Sequence, residues 1–239
     1  MHSSCPHAFG RAGVNAVNNG SGREGSRQHP RTTPAPAQLH LDSLTVTTGY
    51  HHGRLRDEMI RIGLELAAEG GSDAVGIREI TRRAGVSPAA AYRHFRDQQE
   101  LREKVAREID RMLSRDLEAA VSSTHGTARD KLLAAGNAYF DFAFANPQLF
   151  AHLNNGFSPT QDGSVFDAFV EVVHALGVEQ LGHAPALERS RELSVALWSA
   201  GHGFCVLVTT GALKDLDDET KYHLREVTIT NVVNGLDFT

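Results

Sequence analysis

The chain has few cysteines, a single tryptophan and no excess of basic residues. Its two cysteines, Cys5 and Cys205, lie near opposite ends of the 239 residues. This spacing argues against a disulfide framework and favours a reducing, cytoplasmic location. Lysine and arginine number 24 against 29 acidic residues, so the formal net charge of −5 excludes a wholly basic nucleic-acid coat. A small DNA-reading face stays compatible with this charge, because only the local charge matters there.

Long apolar runs are also missing. No stretch approaches the roughly 18–20 apolar residues that a membrane helix needs, and the N-terminus has no apolar core of a secretory signal. Hydrophobic residues make up 41% of the chain and charged residues 22%. These values predict a globular protein with a proper core and no membrane partner.

The residue patterns of common active sites are absent as well. We find no Ser-His-Asp constellation and no phosphate-binding loop, so we predict no catalytic residues, no cofactor and no enzymatic activity. His202 and Cys205 are three residues apart on a predicted helix, which could suggest a metal site. Two ligands without a further cluster are weak evidence. We therefore interpret this pair as a hydrogen-bonded histidine beside a buried thiol, and we predict no metal.

The first 49 residues differ in composition from the rest of the chain. They are rich in Gly, Ser, Asn, Pro, Arg and His and have few large apolar side chains. Such a segment cannot bury enough surface to offset the entropy lost on ordering, so we predict that residues 1–49 form a disordered tail. Two interpretations stay open: a basic arm that adds phosphate contacts, or a segment that is not translated because synthesis starts near Val46.

From Arg54 onward the apolar residues recur at steps of three and four, which is typical of helices. Alternation of the kind that strands show is nearly absent, so the sequence predicts an all-α fold. Glycines and Asn146-Pro147 mark helix ends, while the Ser87 hydroxyl as an N-cap and Asp97 with Glu100 as a capping box mark helix starts. The expected helices cover about 54–69, 77–84, 88–95, 97–122, 128–145, 148–155, 164–181, 187–212 and 217 to near the C-terminus.

Residues 77–101 have the layout of a helix-turn-helix. Gly85 ends one short helix, and Ser87-Pro88 begin a second one that is too short to be stable alone in water. In this motif the second helix enters the major groove, while the first crosses the DNA backbone. Small residues allow close approach to DNA, and Tyr, Arg and His can contact phosphates or bases. The candidate DNA-binding residues are Arg78, Ser87, Pro88, Ala89, Ala90, Tyr92, Arg93 and His94.

A plain helical hairpin with solvated arginines is the alternative for this segment. Residues 50–101 contain eight arginines and eight acidic residues, which gives no net charge. However, Asp57, Glu58, Glu65 and Glu69 cluster in the first helix, which need not face DNA. Overall charge therefore does not decide between the two interpretations.

The whole segment 50–105 resembles the N-terminal domain of TetR-family transcriptional regulators. The resemblance rests on Glu69-Gly70, Arg78, Ile80-Thr81, Ala84-Gly85-Val86-Ser87, Tyr92-Arg93-His94-Phe95 and Leu101. Tyr50-His51-His52-Gly53, and Trp198 followed by His202-Gly203, resemble one subgroup of that family. Two positions depart from the family pattern: Gln98 replaces a lysine that contacts phosphate, and Thr81 replaces an alanine. Gln98 puts part of the phosphate clamp in doubt.

This resemblance implies a three-helix DNA-binding domain over 50–101 and a helical ligand-binding and dimerisation domain over 102–239. Aromatic residues are enriched in the second part, and such side chains line small-molecule sites. Equally, a helical core needs them. Ala196, Ser199, Ala200 and Gly203 are small residues that fit a helix–helix interface between subunits. The candidate pocket residues are Tyr139, Phe142, Phe150, Phe166, Trp198 and His202.

The sequence thus favours a transcriptional regulator with double-stranded DNA, a small-molecule effector and a second copy of itself as partners. The resemblance implies a homodimeric repressor that binds a near-palindromic operator and is released by its ligand. An all-α small-molecule carrier, or a dimeric interaction protein with a vestigial DNA reader, is the alternative.

Overall fold

The computed structural model describes residues 52–154 and 164–239, and the predicted N-terminal tail lies outside them. Within these ranges the chain is helical and contains no strand, which confirms the all-α fold. The helices are α1 (His52–Ala74), α2 (Ile77–Ala84), α3 (Pro88–Ala91), α4 (Gln98–Ser123), α5 (Ala128–Ala145), α6 (Pro147–Asn154), α7 (Val165–Leu181), α8 (Leu187–Thr209) and α9 (Asp218–Asn234).

Two glycines interrupt α1 where the sequence predicts its end. Gly70 and Gly71 both leave helical geometry, and Gly71 has a φ of 67°, in the left-handed region that glycine tolerates best. One further turn follows as far as Ala74, and α2 then begins after Gly76 as its N-cap. This kinked connection holds α2 against α1 and so builds the first part of the three-helix unit.

Helix α4 begins at Asp97, as predicted, with the Asp97 side chain accepting a hydrogen bond from the Glu100 N–H at 2.8 Å. The capping box also predicts that the Glu100 carboxylate accepts a hydrogen bond from the Asp97 N–H, and this prediction is wrong. The Glu100 carboxylate instead accepts from the backbone N–H of Arg96 at 2.8 Å. The Arg96 guanidinium also donates to the Glu100 carboxylate, at 3.1 Å. Because Arg96 supplies two donors, the carboxylate bonds to residue 96 and not to residue 97.

A single continuous hydrophobic core joins the N-terminal helices to the C-terminal ones. Helix α4 supplies the connection, since Leu101 and Val105 are fully buried near its start and Leu117 near its end. The predicted domain boundary between residues 101 and 102 therefore falls inside α4. No gap in packing marks that boundary, so it stays a prediction about how function is divided between the two parts of the chain.

Helix α5 is central to the C-terminal half and packs against α4, α6, α7, α8 and α9. Its approach to α9 is close, because a Cβ atom on Gly136 would lie 1.8 Å from Cδ1 of Ile229. The chain after α9 also packs inward, with Leu236 and Phe238 buried. Phe238 lies over Gly177 of α7, where a side chain would collide with its ring.

Helix α8 corrects one expectation from the sequence. An 18-residue window within Leu187–Thr209 has a mean hydropathy of 1.2, so the helix is long and apolar enough to cross a membrane by length and composition alone. Small residues and the lack of charge in its second half produce this value. A packed or interface helix passes the same test, and one such helix is weak evidence for a membrane segment.

Candidate nucleic-acid interface and buried cavity

The turn between α2 and α3 has the geometry that its glycine predicts. Gly85 has φ 68° and ψ 27°, and its N–H donates to the carbonyl of Arg82 at 3.3 Å. The Val86 N–H then donates to the Thr81 carbonyl at 3.0 Å. These bonds satisfy the last carbonyls of α2 and turn the chain sharply. Thus only two residues, Val86 and Ser87, separate the C-cap of α2 from the start of α3.

Helix α3 is a short piece with Ser87 at the N-cap and Pro88 at the first helical position, as expected. The Ser87 side chain, however, makes no capping bond, which corrects the predicted hydroxyl cap. Backbone bonds continue the turn beyond the four helical residues, from the N–H groups of His94 and Phe95 to the Ala91 carbonyl at 2.9 and 3.0 Å. The Ser87 hydroxyl is therefore exposed and not committed to a cap.

Burial divides the segment into a packed side and an exposed side. Ala91 and Phe95, four residues apart, are each 1% exposed and fix the segment to the core. Tyr92 is 58% exposed although its ring is largely apolar. Of the candidate DNA-binding residues, Arg78, Ser87, Pro88, Ala89, Tyr92 and Arg93 are exposed, while Ala90 and His94 are half-buried.

The arginines of the N-terminal unit fall into two groups. One group is neutralised within the protein by the following pairs: Arg61 with Glu58 and Glu65, Arg82 with Glu79, Arg83 with Glu69 and Glu79, and Arg96 with Glu100. Hydrogen bonds from Arg82 and Arg83 hold the pKa of the Glu79 carboxyl at about 2. Arg56, Arg78 and Arg93 form the other group, because none has an acidic partner among the described residues, and of these Arg56 lies over the Phe95 ring at 5.5 Å from its centroid.

The two departures from the family pattern have different structural consequences. Thr81 is buried, and its hydroxyl donates within α2 to the carbonyls of Ile77 at 2.9 Å and Arg78 at 3.0 Å. A threonine is thereby accommodated where the family has alanine. Gln98 is exposed at the first position of α4 and carries no charge. It can donate a hydrogen bond to a phosphate but cannot replace the attraction of a lysine.

The C-terminal half contains a small apolar cavity between α5, α7, α8 and α9. Its free volume of about 20 Å³ has room for about one water molecule. The lining residues are Gly136, Tyr139, Phe140, Phe169, Leu197, Trp198, Gly201, His202, Thr228, Ile229 and Val232. None of them is charged, and most are aliphatic or aromatic.

Three polar atoms at the cavity are joined by hydrogen bonds. The Trp198 Nε1–H donates to the Tyr139 hydroxyl at 3.2 Å, and that hydroxyl lies 2.7 Å from Nδ1 of His202. Trp198 can only donate, so among the described residues Nδ1 is the one acceptor within reach of the buried Tyr139 O–H. We therefore assign the hydroxyl as acceptor from Trp198 and donor to Nδ1, which leaves no buried donor unsatisfied. Burial raises the pKa of Tyr139 and lowers the pKa of His202. His202 is therefore neutral and carries its proton on Nε2.

Three of the six predicted pocket residues line the cavity: Tyr139, Trp198 and His202. Phe150 lies behind them, with its ring centroid 5.6 Å from that of Tyr139 and 5.1 Å from that of His202. Phe166 meets Trp198 edge-on at 6.3 Å. Phe142 is buried in the core and does not line the cavity.

The contributions of α9 to the cavity were missed by sequence reasoning. Thr228, Ile229 and Val232 carry no aromatic or motif signal, and only the tertiary fold brings them to α5 and α8. Gly136 had no signal either, although a glycine inside a predicted helix often marks a close approach. Cys205 is completely buried, and burial raises the pKa of its thiol.

Helices α8 and α9 also expose large apolar side chains, which we call the α8–α9 face. Val195 is 50% exposed, Leu207 44% and Val227 42%. The small residues Ala196 and Ser199 are exposed beside Val195 in α8. Exposed apolar side chains with small residues beside them are compatible with a helix–helix interface.

A helix-turn-helix with two exposed, unpaired arginines, fused to a helical bundle with an apolar cavity, defines a DNA-binding regulator of transcription and not an enzyme. Residues 60–105 match the family model of bacterial regulatory proteins of the tetR family. Residues 132–231 match the model of the tetracyclin repressor-like C-terminal domain. The chain belongs to the tetR family. None of the curated proteins matches it.

Solved structures share the fold. A protein of unknown function from a Rhodococcus species is 25% identical, with a TM-score of 0.61 over 80% of this chain and 99% of that one. A tetR-family transcriptional regulator from Streptomyces coelicolor is 21% identical, with a TM-score of 0.51 over 77% and 80%. The regulator FadR from Bacillus subtilis, solved with stearoyl-CoA, is 13% identical, with a TM-score of 0.52 over 76% and 99%. The last two likenesses concern the fold alone.

Proposed function

We propose that this protein is a homodimeric, ligand-responsive repressor that binds a near-palindromic operator and leaves it when a small molecule occupies the C-terminal domain. The exposure of Arg78, Tyr92 and Arg93 carries this proposal. The other arginines whose side chains the structure describes in α1–α3 are paired, as with Arg82 and Arg83, or lie over the core, as Arg56 does above the Phe95 ring.

In the proposed complex α3 enters the major groove. Ala89 and Ala90 allow the backbone to approach and can contact thymine methyl groups. Tyr92 and His94 contact phosphates or base edges, and Arg93 contacts phosphate or guanine. Arg78, near the start of α2, contacts phosphate where that helix crosses the backbone.

The α8–α9 face supports the proposed dimer. Burying Val195, Leu207 and Val227 against a second copy removes exposed apolar surface from water, and the small residues Ala196 and Ser199 allow close approach of the two helices. Two reading units in one dimer then lie about 34–36 Å apart, one helical turn of DNA. Such a symmetric dimer reads two inverted half-sites, which requires a near-palindrome.

A line of contacts supports the coupling between the cavity and the DNA-reading unit. Phe150 of α6 packs on Tyr139 and His202, as described above. Two residues later, the Nε2–H of His152 donates to the Arg102 carbonyl at 3.2 Å. The Arg102 Nε–H in turn donates to the Val75 carbonyl at 2.9 Å, just before α2. In the proposed mechanism an effector changes the packing of α6. This change favours an arrangement of the dimer in which the distance between its two DNA-reading units no longer matches one helical turn of DNA.

Selection of binding sites from random duplex DNA with the full-length protein tests the proposal. We expect an enriched motif with two inverted half-sites about one helical turn apart. Absence of enrichment at low salt, from folded dimeric protein, would favour the carrier or interaction protein instead.

Single substitutions then test the docking. We expect Arg78→Ala and Tyr92→Ala to weaken operator binding without changing the oligomeric state. Loss of the Arg78 phosphate contact should reduce the slope of log affinity against log salt by about 1. Arg111→Ala is the matched control, since Arg111 is also exposed but lies in the middle of α4, paired with Glu108 at 2.8 Å. Unchanged binding by both test variants contradicts the proposed orientation.

A further inference from the structure

The polar groups of the cavity offer very few unsatisfied hydrogen-bond donors. Four lining side chains carry polar atoms: Tyr139, Trp198, His202 and Thr228. The Tyr139 hydroxyl donates to Nδ1 of His202 and accepts from Trp198, so its proton is already in use. Among the described residues the Nε2–H of His202 has no partner, and the Thr228 hydroxyl is the only other side-chain donor without one.

The hydrogen-bond relay fixes which nitrogen of His202 acts as the donor. A free imidazole exchanges between two neutral tautomers, and either nitrogen can then accept. Here the Tyr139 hydroxyl, 2.7 Å from Nδ1, has no other acceptor among the described residues, so we assign Nδ1 as the acceptor of its proton. The opposite nitrogen is therefore held as N–H, and it can donate to a ligand but cannot accept from one.

The electrostatics of the cavity disfavour a charged occupant. Among the described residues no lysine, arginine, aspartate or glutamate lines it, and transfer of an isolated charge into such surroundings is costly. The Asp110 carboxyl also influences Tyr139 and accepts a bond from the Val165 N–H at 3.3 Å. When ionised, this carboxyl opposes an anion further, while burial raises its pKa and so disfavours its charged form.

We propose that the cavity selects an uncharged effector with an apolar body and one hydrogen-bond acceptor, such as a ketone or ester carbonyl, which accepts from the Nε2–H of His202. This inference rests on the proposed ligand-responsive function and names the chemical class of the ligand. The present free volume of about 20 Å³ is too small for such a molecule. Binding therefore separates α9 from α5 and α8, next to the α8–α9 face.

Four cyclohexane derivatives of similar size test the selectivity: cyclohexanone, methylcyclohexane, cyclohexylammonium and cyclohexanecarboxylate. Trp198 is the only tryptophan of the chain and lines the cavity, so its fluorescence reports occupancy. The rise of the unfolding temperature with probe concentration is the second readout. We expect cyclohexanone to bind about tenfold more tightly than methylcyclohexane, the difference that one hydrogen bond makes. Both ions should bind more weakly still.

Substitutions then identify the donor. His202→Phe should abolish the preference for cyclohexanone over methylcyclohexane, and His202→Leu serves if the first variant does not fold. Thr228→Val is the matched control, because it removes the other unpartnered hydroxyl and nearly preserves the side-chain shape. It should leave the preference unchanged. Three results would each overturn the proposal. They are loss of the preference in Thr228→Val alone, tighter binding of either ion than of cyclohexanone, and no response to any probe.

The two proposals fail separately. Probe binding is measured without DNA, and operator selection is performed without a ligand. A protein that selects a palindrome but does not prefer the ketone refutes only the effector class. A protein that binds the ketone through His202 but selects no DNA motif refutes only the regulatory function.

Discussion

The contact between Gly136 and Ile229 allows a quantitative test of the helix packing around the cavity. A Cβ atom at position 136 would lie 1.8 Å from Cδ1 of Ile229 and 3.0 Å from its Cγ1. Both distances are below ordinary van der Waals contact, and Ile229 is only 6% exposed. Gly136→Ala therefore forces Ile229 into another rotamer or moves α9 away from α5.

Two effects of opposite sign determine the free energy of unfolding of this variant. Alanine in place of glycine inside a helix stabilises by about 1 kcal/mol. Overpacking a well-filled core costs about 1–3 kcal/mol. Because Ile229 can relieve part of the collision by changing its rotamer, we expect a cost of about 2 kcal/mol, in the middle of that range, and a net destabilisation of about 1 kcal/mol. For a chain of this size the unfolding temperature falls by about 2–4 °C.

The assay is a double-mutant cycle with Ile229→Val, measured by urea unfolding at one fixed protein concentration. Ile229→Val removes Cδ1 and by itself costs about 0.5–1.5 kcal/mol. In that background Gly136→Ala should be almost neutral, since only the longer of the two contacts, at 3.0 Å, remains. The interaction free energy between the two sites should then be about 1 kcal/mol.

Gly201→Ala is the matched control for this cycle. Gly201 also lies within a helix and lines the same cavity, but its Cβ would have its nearest neighbour, Cζ of Phe140, at 3.8 Å. That is an ordinary contact, so the gain in helix propensity should dominate and stabilise the protein by up to about 1 kcal/mol. The reasoning is refuted if Gly136→Ala stabilises as Gly201→Ala does, or if its effect is the same with Ile or Val at position 229.

Two further predictions concern the helix start at Asp97 and the buried histidines. Asp97→Ala removes the acceptor of the Glu100 N–H, so urea unfolding should show a loss of about 1 kcal/mol, and an unchanged midpoint would contradict the capping role. Burial lowers the pKa of His152 and of His202 below 6.5, so the unfolded chain binds protons more readily than the folded one. The contribution of the two neutral histidines to the free energy of unfolding is present in full above about pH 6.5 and is lost as the pH falls below it. The unfolding midpoint should drop less with pH in a His152→Gln, His202→Gln double variant, and equal pH profiles would argue against this assignment.

Most helix boundaries could be predicted because strong local signals fix them. Gly85 ends α2 in the left-handed conformation, Asp97 caps α4, and Asn146 follows α5 as its C-cap. Other signals were present but went unrecognised. Thr127 with Asp130, and Ser164 with Asp167, form capping boxes at the starts of α5 and α7. The end of α8 at Thr209, before the predicted residue 212, follows from no comparable signal.

The site could be predicted only in part, since burial in the turn that follows α3 depends on tertiary packing. Tyr92, Arg93 and His94 are adjacent in sequence, yet the structure exposes the first two and half-buries the third. Aromatic enrichment indicated a pocket region but could not separate Trp198, which lines the cavity, from Phe142, which lies in the core. The relay from Trp198 through Tyr139 to His202 joins α8 to α5, and no spacing in the sequence reveals it.

Net charge is a poor guide to DNA binding in this chain because the acidic groups have specific partners. Glu69 and Glu79 accept from Arg83, and Glu79 also accepts from Arg82, which satisfies both arginines within the protein. A phosphate that approached Arg82 or Arg83 would have to compete with a carboxylate already held by charge-assisted hydrogen bonds. Arg78 and Arg93 face no such competition, so a phosphate there gains attraction without breaking an existing pair. A chain with a formal charge of −5 can therefore present a localised cationic contact surface, because its acids neutralise selected arginines and leave others for DNA.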